Sequence, residues 1–479
     1  MTHPALNALL DRLEGSVSVG EEGAVTVNDE AKLRQNPIDT LAYAAALSPD
    51  PEGAVARWLL WQLGQTLGVY PSSIHELYVA RGRGEAPRDF TVPAMNLRAM
   101  TYEMSQAVFK AAQQLNAGAL LFEIARSEIG YTGQRPAEYV SSILAAAIKT
   151  GYRGPLFVQG DHFQISASRY AQDPDAEFKA VCDLTIEALQ AGFYNIDIDT
   201  STLVDLDHES LDDQQRQNYE LCARLTGFIR QHEPEGITVS VGGEIGEVGG
   251  KNSTEPELRA FMDGYVKTLA ALNDGGLTGI SKISIQTGTS HGGVVLPDGS
   301  IAEVKVDFDT LEHLSRVAAD DYGLAGAVQH GASTLPPEAF NKFAQATACE
   351  VHLATGFQNM MYDHEQFPDA LRREMYAYLD AEFGGNRKPD QTDEQFHYKE
   401  RKRALGKYKP EMWNLPADVR AAIQASWQEQ FAFLFEQLNV GNTADLAEKY
   451  TPVVKIDKPL GDYLAGAEAV EEDVGDLAD

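Results

Sequence analysis

Between about residues 90 and 355 the sequence alternates short apolar, strand-like runs with segments of helical periodicity, eight times over. The strand candidates begin near Phe90, Ala119, Pro155, Tyr194, Ile237, Ile280, Leu324 and Cys349. After the third, Phe178, Val181, Leu184 and Ala188 recur at helical spacing, as do Phe261, Tyr265, Leu269 and Leu272 after the fifth. Strands that alternate with helices pair in parallel, and eight such units close into a (β/α)8 barrel, the TIM-barrel class of α/β fold. Pro336 and Pro337 precede the segment around Phe340, which suits the first turn of a helix. Residues 1–89 are largely helical in pattern, with a Gly/Glu-rich patch at Gly15–Val27. Residues 365–479 hold helical stretches, a basic run from Lys399 to Lys409, and an acidic tail from Glu471. The expected organisation is therefore a helical N-terminal extension (1–89), a barrel (90–364) and a helical C-terminal extension (365–479). The basic run reads as an exposed helix face and the tail as a disordered, solvated segment.

In such a barrel the downstream ends of all eight strands form one surface, where active sites are built. Three histidines end strand runs there: His162 after Phe157-Val-Gln-Gly-Asp, His291 after Ile283-Ser-Ile-Gln-Thr-Gly-Thr-Ser, and His330 after Leu324-Ala-Gly-Ala-Val-Gln. Two runs between the first two histidines end in carboxylates, at Asp199 and Glu244. Three imidazoles leave a coordination position open to water or substrate, the pattern of a catalytic rather than a structural divalent metal. Asp161 stands beside His162 and suits either a general acid/base or a partner that orients an imidazole. Asn195, Asp197 and Asp199 share one strand face, with Asp199 nearest the functional end and Asp197 a candidate buried hydrogen-bonding residue. The loop after Glu244 carries Gly246, Gly249, Gly250 and Lys251, without the spacing of a dinucleotide fingerprint. Lys251 is either an anion contact or an ordinary exposed lysine. Gly331-Ala-Ser333-Thr and Thr355-Gly follow strands seven and eight, the common phosphate position in these barrels, although small residues are also ordinary turn formers.

Lys and Arg number 39 against 71 Asp and Glu, a net charge of −32. That field repels phosphate backbones and anionic lipid, so neither nucleic acid nor a membrane surface is expected as a partner. An anionic substrate would need local positive charge, which a bound divalent metal supplies. No run of 18 apolar residues and no signal-like start is visible, and the three cysteines form no CxxC pair. A cytoplasmic location is expected.

These motifs, in this order, resemble the class II (metal-dependent) ketose-bisphosphate aldolases. Pro93-Ala-Met-Asn96, Gly160-Asp-His162, Ile198-Asp199, Glu244-Ile-Gly with Gly249-Gly250, Ser290-His291-Gly292 and Gln329-His330-Gly331 are similar to that family's successive motifs, over roughly residues 90–360. The resemblance implies a catalytic zinc, or another divalent ion such as Mn2+ or Co2+, on His162, His291 and His330. Asp199 and Glu244 would lie near a second or alternative metal position. Asp161 would exchange a proton with the C4 oxygen, Asn96 would contact substrate, and Gly292, Gly331, Ser333 and Thr355 would hold a phosphate. The metal would polarise the ketose carbonyl and stabilise the enediolate left when the C3–C4 bond breaks, with no lysine Schiff base. Two stretches depart from the family pattern. Its strand-eight Asn-Ile-Asp-Thr-Asp stands here as His352-Leu-Ala-Thr-Gly356, and its second-strand Phe-Ser as Ile124-Ala125.

The leading expectation is a cytoplasmic, self-associating aldolase of carbohydrate metabolism, of the glycolytic type. Its substrate would be a small phosphorylated ketose, with fructose 1,6-bisphosphate the first candidate. The alternative is a metal-dependent sugar or sugar-acid epimerase, of the tagaturonate epimerase type, on the same barrel. A non-catalytic aldolase-like subunit is the third reading, and the retained ligand set opposes it.

Overall fold

The computed structural model describes residues 3–20, 22–246, 251–273, 275–289, 296, 305–465 and 477. Eight parallel strands close a barrel: β1 (Val92–Asn96), β2 (Leu121–Ala125), β3 (Gly154–Gln164), β4 (Asn195–Asp199), β5 (Ser240–Glu244), β6 (Lys282–Ile285), β7 (Ala327–Gln329) and β8 (Glu350–Leu353). Each pairs with its neighbour in sequence, and β8 returns to β1. Helices cover the outside, among them Thr101–Leu115 after β1, Pro174–Ala191 after β3, Leu211–His232 after β4 and Glu255–Leu272 after β5. Local chemistry starts several of them. Asp173 and Ser210 accept backbone N–H bonds from Ala176 and Asp213, and Thr254 with Glu257 forms a reciprocal capping box.

The strands lie where the apolar runs predict them, with one informative exception. β3 does not stop at its apolar run but continues through Asp161 and His162 to Gln164. Its pairing with β4 slips between Gly160 and Phe163, and His162 sits at φ +38°. This bulge breaks the alternation that would send Asp161 and His162 to opposite faces, so both reach the barrel mouth.

The N-terminal segment is not only helical. Val17–Val19 and Val25–Val27 form a hairpin, and Val69–Ser72 adds a parallel strand beside the start of β3, below β4. The C-terminal segment packs tightly: helix Ala417–Gln437 lies against Thr101–Leu115, and Trp427 is fully buried.

The basic run departs from its expected exposure. Arg401 is 3% exposed, pairs with Asp363 at 2.9 Å and lies over the rings of Tyr362 and Tyr398. Lys409 donates to the Gly133 carbonyl at 2.8 Å. Lys399 and Lys407 are exposed as expected. Arg401, Ala404 and Leu405 are buried because the run docks on helix Arg126–Thr132 after β2, and Arg401 bonds Asn359 and Tyr362 of helix Thr355–Tyr362 after β8. The acidic residues 471–476 lie outside the described residues.

Candidate active site

Strand alternation sets the interior. Asn195, Asp197 and Asp199 of β4, Lys282 and Ser284 of β6, and Glu350 and His352 of β8 are all buried and take the inward positions of their strands. Asn195, lowest in the barrel, accepts the Ile74 N–H at 2.9 Å and donates to the Ser72 and Val158 carbonyls.

Above it, register places Asp197 beside Gly242 and Gly242 beside Lys282. Lys282 Nζ reaches Asp197 Oδ2 at 2.9 Å, Gln159 Oε1 at 2.7 Å, and Glu350. A Cβ on Gly242 would stand 2.3 Å from Asp197 Oδ1 and 3.0 Å from Lys282 Cε, so only glycine lets this ion pair cross β5. Glu350 also accepts from the Tyr78 hydroxyl and from Gln159 Nε2. Burial lowers the Lys282 amine's affinity for its proton, but Asp197 and Glu350 reverse that and raise its pKa. Lys282 is therefore a fixed cation and not a nucleophile.

At the mouth, His162 Nδ1 lies 3.1 Å from Asp199 Oδ2 and 3.4 Å from Glu244 Oε2. Its ring is 4.5 Å from that of His330, centroid to centroid, and His330 is 4.0 Å from His352. His330 Nε2 is within 3.1 Å of Ser284 Oγ, and its carbonyl accepts from Thr289 and Gln329. Asp161 Oδ1 is 3.9 Å from His162 Nε2 and 3.2 Å from His352 Nδ1.

Five of the expected residues thus meet at one point: Asp161, His162, Asp199, Glu244 and His330. His291 and Gly292 lie outside the described residues, as do Gly249 and Gly250. Gly331 and Ser333 lie in the loop after β7, and Thr355 opens the helix Thr355–Tyr362 that follows β8. There Ser333 Oγ accepts the Ala354 N–H at 2.7 Å, and a Cβ on Gly356 would meet the Ser333 carbonyl at 2.9 Å. Beside them is a cavity of about 160 Å³, whose lining includes Ser333, Phe340, Leu353, Phe357, Met360 and Leu434 but no charged residue. Asn96 gives its amide to Glu128 and receives Arg98 Nε at 3.3 Å. Lys251 pairs with Glu257 at 2.6 Å.

Sequence reasoning passed over Lys282, Glu123, Glu350 and His352. Their signal was present, since Glu350 and His352 stand two apart in an otherwise apolar strand, the same period that singled out Asn195, Asp197 and Asp199.

The charge balance asks for a cation. Six carboxylates (Glu123, Asp161, Asp197, Asp199, Glu244 and Glu350) are each at most 6% exposed and share the interior with one lysine. Burial pushes the Glu244 carboxyl up to about 7, with Asp199 adding to the rise. Glu123 is pushed up to about 8 by burial and Asp161. Burial opposes charge on His162 and His352, yet the carboxylates around them raise both imidazoles well above their ordinary range. Among the described residues Lys282 is spent on Asp197 and Glu350, and Arg98 pairs with Glu128 at 2.7 Å. Further positive charge therefore comes from protons on these rings, and a divalent ion supplies it by displacing such protons. The donor set fits: ligand atoms of His162, Glu244 and His330 lie within 4.8 Å of one another, as do those of Asp161, His330 and His352.

The sequence profile of the class-II fructose-bisphosphate aldolases matches residues 86–434, and the chain belongs to that family. The match extends past the barrel into helix Ala417–Gln437, beyond the roughly 90–360 that the motifs span. The family is generally metal-dependent. No curated protein sequence matches the chain.

Several solved structures resemble it at low identity. A fructuronate-tagaturonate epimerase from Cohnella laeviribosi is 13% identical, with a TM-score of 0.52, over 89% of this chain and 90% of its own. A probable tagatose 6 phosphate kinase from Sinorhizobium meliloti is 15% identical, with a TM-score of 0.52, over 75% and 99%. The fructose-bisphosphate aldolase of Campylobacter jejuni is 18% identical, with a TM-score of 0.46, over 78% and 97%. At these identities the first two speak to the fold. No helix among the described residues is long and apolar enough to cross a membrane.

Proposed function

We propose that this chain is a divalent-metal-dependent class II aldolase that cleaves and forms the C3–C4 bond of a phosphorylated ketose, with fructose 1,6-bisphosphate as the first candidate substrate. The observation that carries this reading is the convergence of His162, Glu244 and His330 with Asp161 at the barrel mouth of a family member. His162, His330 and Glu244 would hold the ion, with Asp199 fixing His162 and with His291 as the further ligand that the motif resemblance supplies. Zn2+ is the first candidate, with Mn2+ or Co2+ as alternatives. A bound ion at this position polarises the ketose carbonyl and stabilises negative charge on its oxygen.

Asp161 carries the proton. In cleavage its carboxylate takes the proton of the C4 hydroxyl as the C3–C4 bond breaks. The bonding pair stays with the C3 fragment, and C4 leaves as an aldehyde. In the reverse direction the same group returns the proton. Asp161 is 5% exposed, so bulk water is kept from the exchange. Gly331, Ser333 and Thr355 would offer backbone N–H and hydroxyl donors to a phosphate.

A second reading is a metal-dependent epimerase of an unphosphorylated sugar acid. It is favoured by the uncharged, mostly apolar cavity beside the expected phosphate position and by the epimerase neighbour that extends over 89% of this chain. Both readings are tested with the zinc-loaded protein. Triose phosphate released from fructose 1,6-bisphosphate and abolished by EDTA supports the aldolase. No release from protein of proven metal content, together with interconversion of tagaturonate and fructuronate, overturns it in favour of the epimerase.

A further inference from the structure

Asp161 has an ion-pair contact at 3.2 Å from its Oδ1 to His352 Nδ1. The opposite nitrogen of His352, Nε2, lies 2.7 Å from Glu350 Oε1. Glu350 cannot yield, because Lys282, Gln159 and Tyr78 all donate to it from three other elements. His352 is 4% exposed, and its ring is pressed against His330, tilted by 41°. Glu123 Oε2 shares Nδ1 with Asp161, at 3.1 Å, and Asp197 Oδ2 stands 3.5 Å from Nε2. The imidazole is therefore clamped at Nε2 by an immobile carboxylate and presents Nδ1 to Asp161 and Glu123 together. An acidic group that fixes an imidazole, which in turn fixes the reacting group, is a recurring device for holding an acid/base in register.

We propose that His352 is a positioning residue. Anchored by the Glu350–Lys282 pair, it holds the Asp161 carboxylate in the orientation from which Asp161 exchanges a proton with substrate. The proposal rests on the reading of Asp161 as the acid/base. It gives a purpose to the charged layer of Glu350, Lys282 and Asp197 beneath the site.

The test compares full-length, zinc-loaded wild type with His352→Gln, His352→Asn, Asp161→Asn and the Asp161→Asn/His352→Gln double variant. The readouts are bound metal by elemental analysis, the Asp161 side-chain position in crystal structures, and kcat and KM with fructose 1,6-bisphosphate. The expected result is an unchanged metal content and an Asp161 carboxylate displaced to another rotamer in both His352 variants. Their kcat should fall about 10–100-fold, the range seen when an orienting partner is lost, while KM changes by less than about threefold. The double variant should be no slower than Asp161→Asn, since two residues acting as one unit are not additive.

Loss of metal in the His352 variants would make His352 a ligand and overturn the proposal. An undisplaced Asp161 would overturn it too, as would a double variant slower by the product of the single effects. Should neither His352 variant fold, Glu350→Gln loosens the anchor without emptying the space, and the same displacement of Asp161 is required of it. If wild type does not cleave the bisphosphate, the metal and crystallographic readouts decide. If Asp161→Asn stays active while Asp161 moves in His352→Gln, the acid/base reading fails and the positioning contact stands.

Discussion

Lys282→Met removes the one lysine in the barrel interior while keeping nearly its length, and its cost can be worked from the contacts. Lys282 is fully buried and faces Asp197 and Glu350, so the variant leaves two neighbouring carboxylates without their cation. Removing one partner of a buried pair typically costs about 3–5 kcal/mol, and here two acceptors are stranded. Proton uptake limits the loss. Burial already pushes Asp197 up to about 6 against the pull of Lys282, and without that pull its pKa must rise further. A carboxyl whose folded pKa lies above its unfolded value near 3.9 stabilises the fold when protonated and loses that contribution as pH rises. The penalty of Lys282→Met should therefore be about 3–5 kcal/mol at pH 8 and less than half that at pH 5.5. Urea unfolding of chelator-treated protein, followed by circular dichroism at both pH values, measures it. A loss below about 1 kcal/mol at pH 8, or an equal loss at the two pH values, would refute the electrostatic account of the barrel interior.

The remaining predictions concern the site and one remote histidine. Asp161→Asn should keep its metal and lose about 10²–10⁴-fold in turnover; full activity in a metal-replete sample would remove Asp161 from the chemistry. His330→Ala should lose bound metal and turnover together, as elemental analysis after gel filtration would report, and a variant keeping both would take His330 out of the ligand set. Chelation should lower the melting temperature of wild type, because an ion present at 100 times its Kd adds about 2.7 kcal/mol to the folded state. His75 is held down to about 4 by burial, with the charges of Arg230 and Arg83 adding to the effect. Its unfolded counterpart titrates near 6.5 and takes up protons first as pH falls, so stability is full above about 6.5 and declines by up to about 3 kcal/mol towards pH 4. His75→Gln should flatten that part of the stability–pH curve, and an unchanged slope would contradict the assignment.

The C-terminal segment has a structural part that its charge obscured. A run with Arg401, Lys402 and Arg403 has the composition of a solvated face, yet Arg401 is buried between aromatic rings and Asp363. A Cβ on Gly406 would come 2.4 Å from the Tyr131 carbonyl, which shows how closely this segment seats on the helix after β2. Gly406→Ala should therefore loosen the segment from the barrel, with earlier proteolytic cleavage near residues 400–409 as its sign.

Sequence by itself determined the barrel and most of the ligand-type residues at its mouth. Eight alternations of period 2 and period 3.6 admit few other closures, and strand direction sends every downstream end to one surface. It also placed Asp199, Glu244 and His330, because each stands where its strand stops. What only the tertiary structure decided depends on side chains that meet across strands. The slip in β3 that turns Asp161 and His162 to one side is set by pairing with β4. The Lys282–Asp197 pair exists because register aligns three strands and the middle one contributes Gly242. His352 faces Asp161 only because β8, β2 and β3 enclose the same small interior. Periodicity along one strand fixes a face, whereas the partner across the barrel is a matter of closure, and closure is a property of all eight strands together.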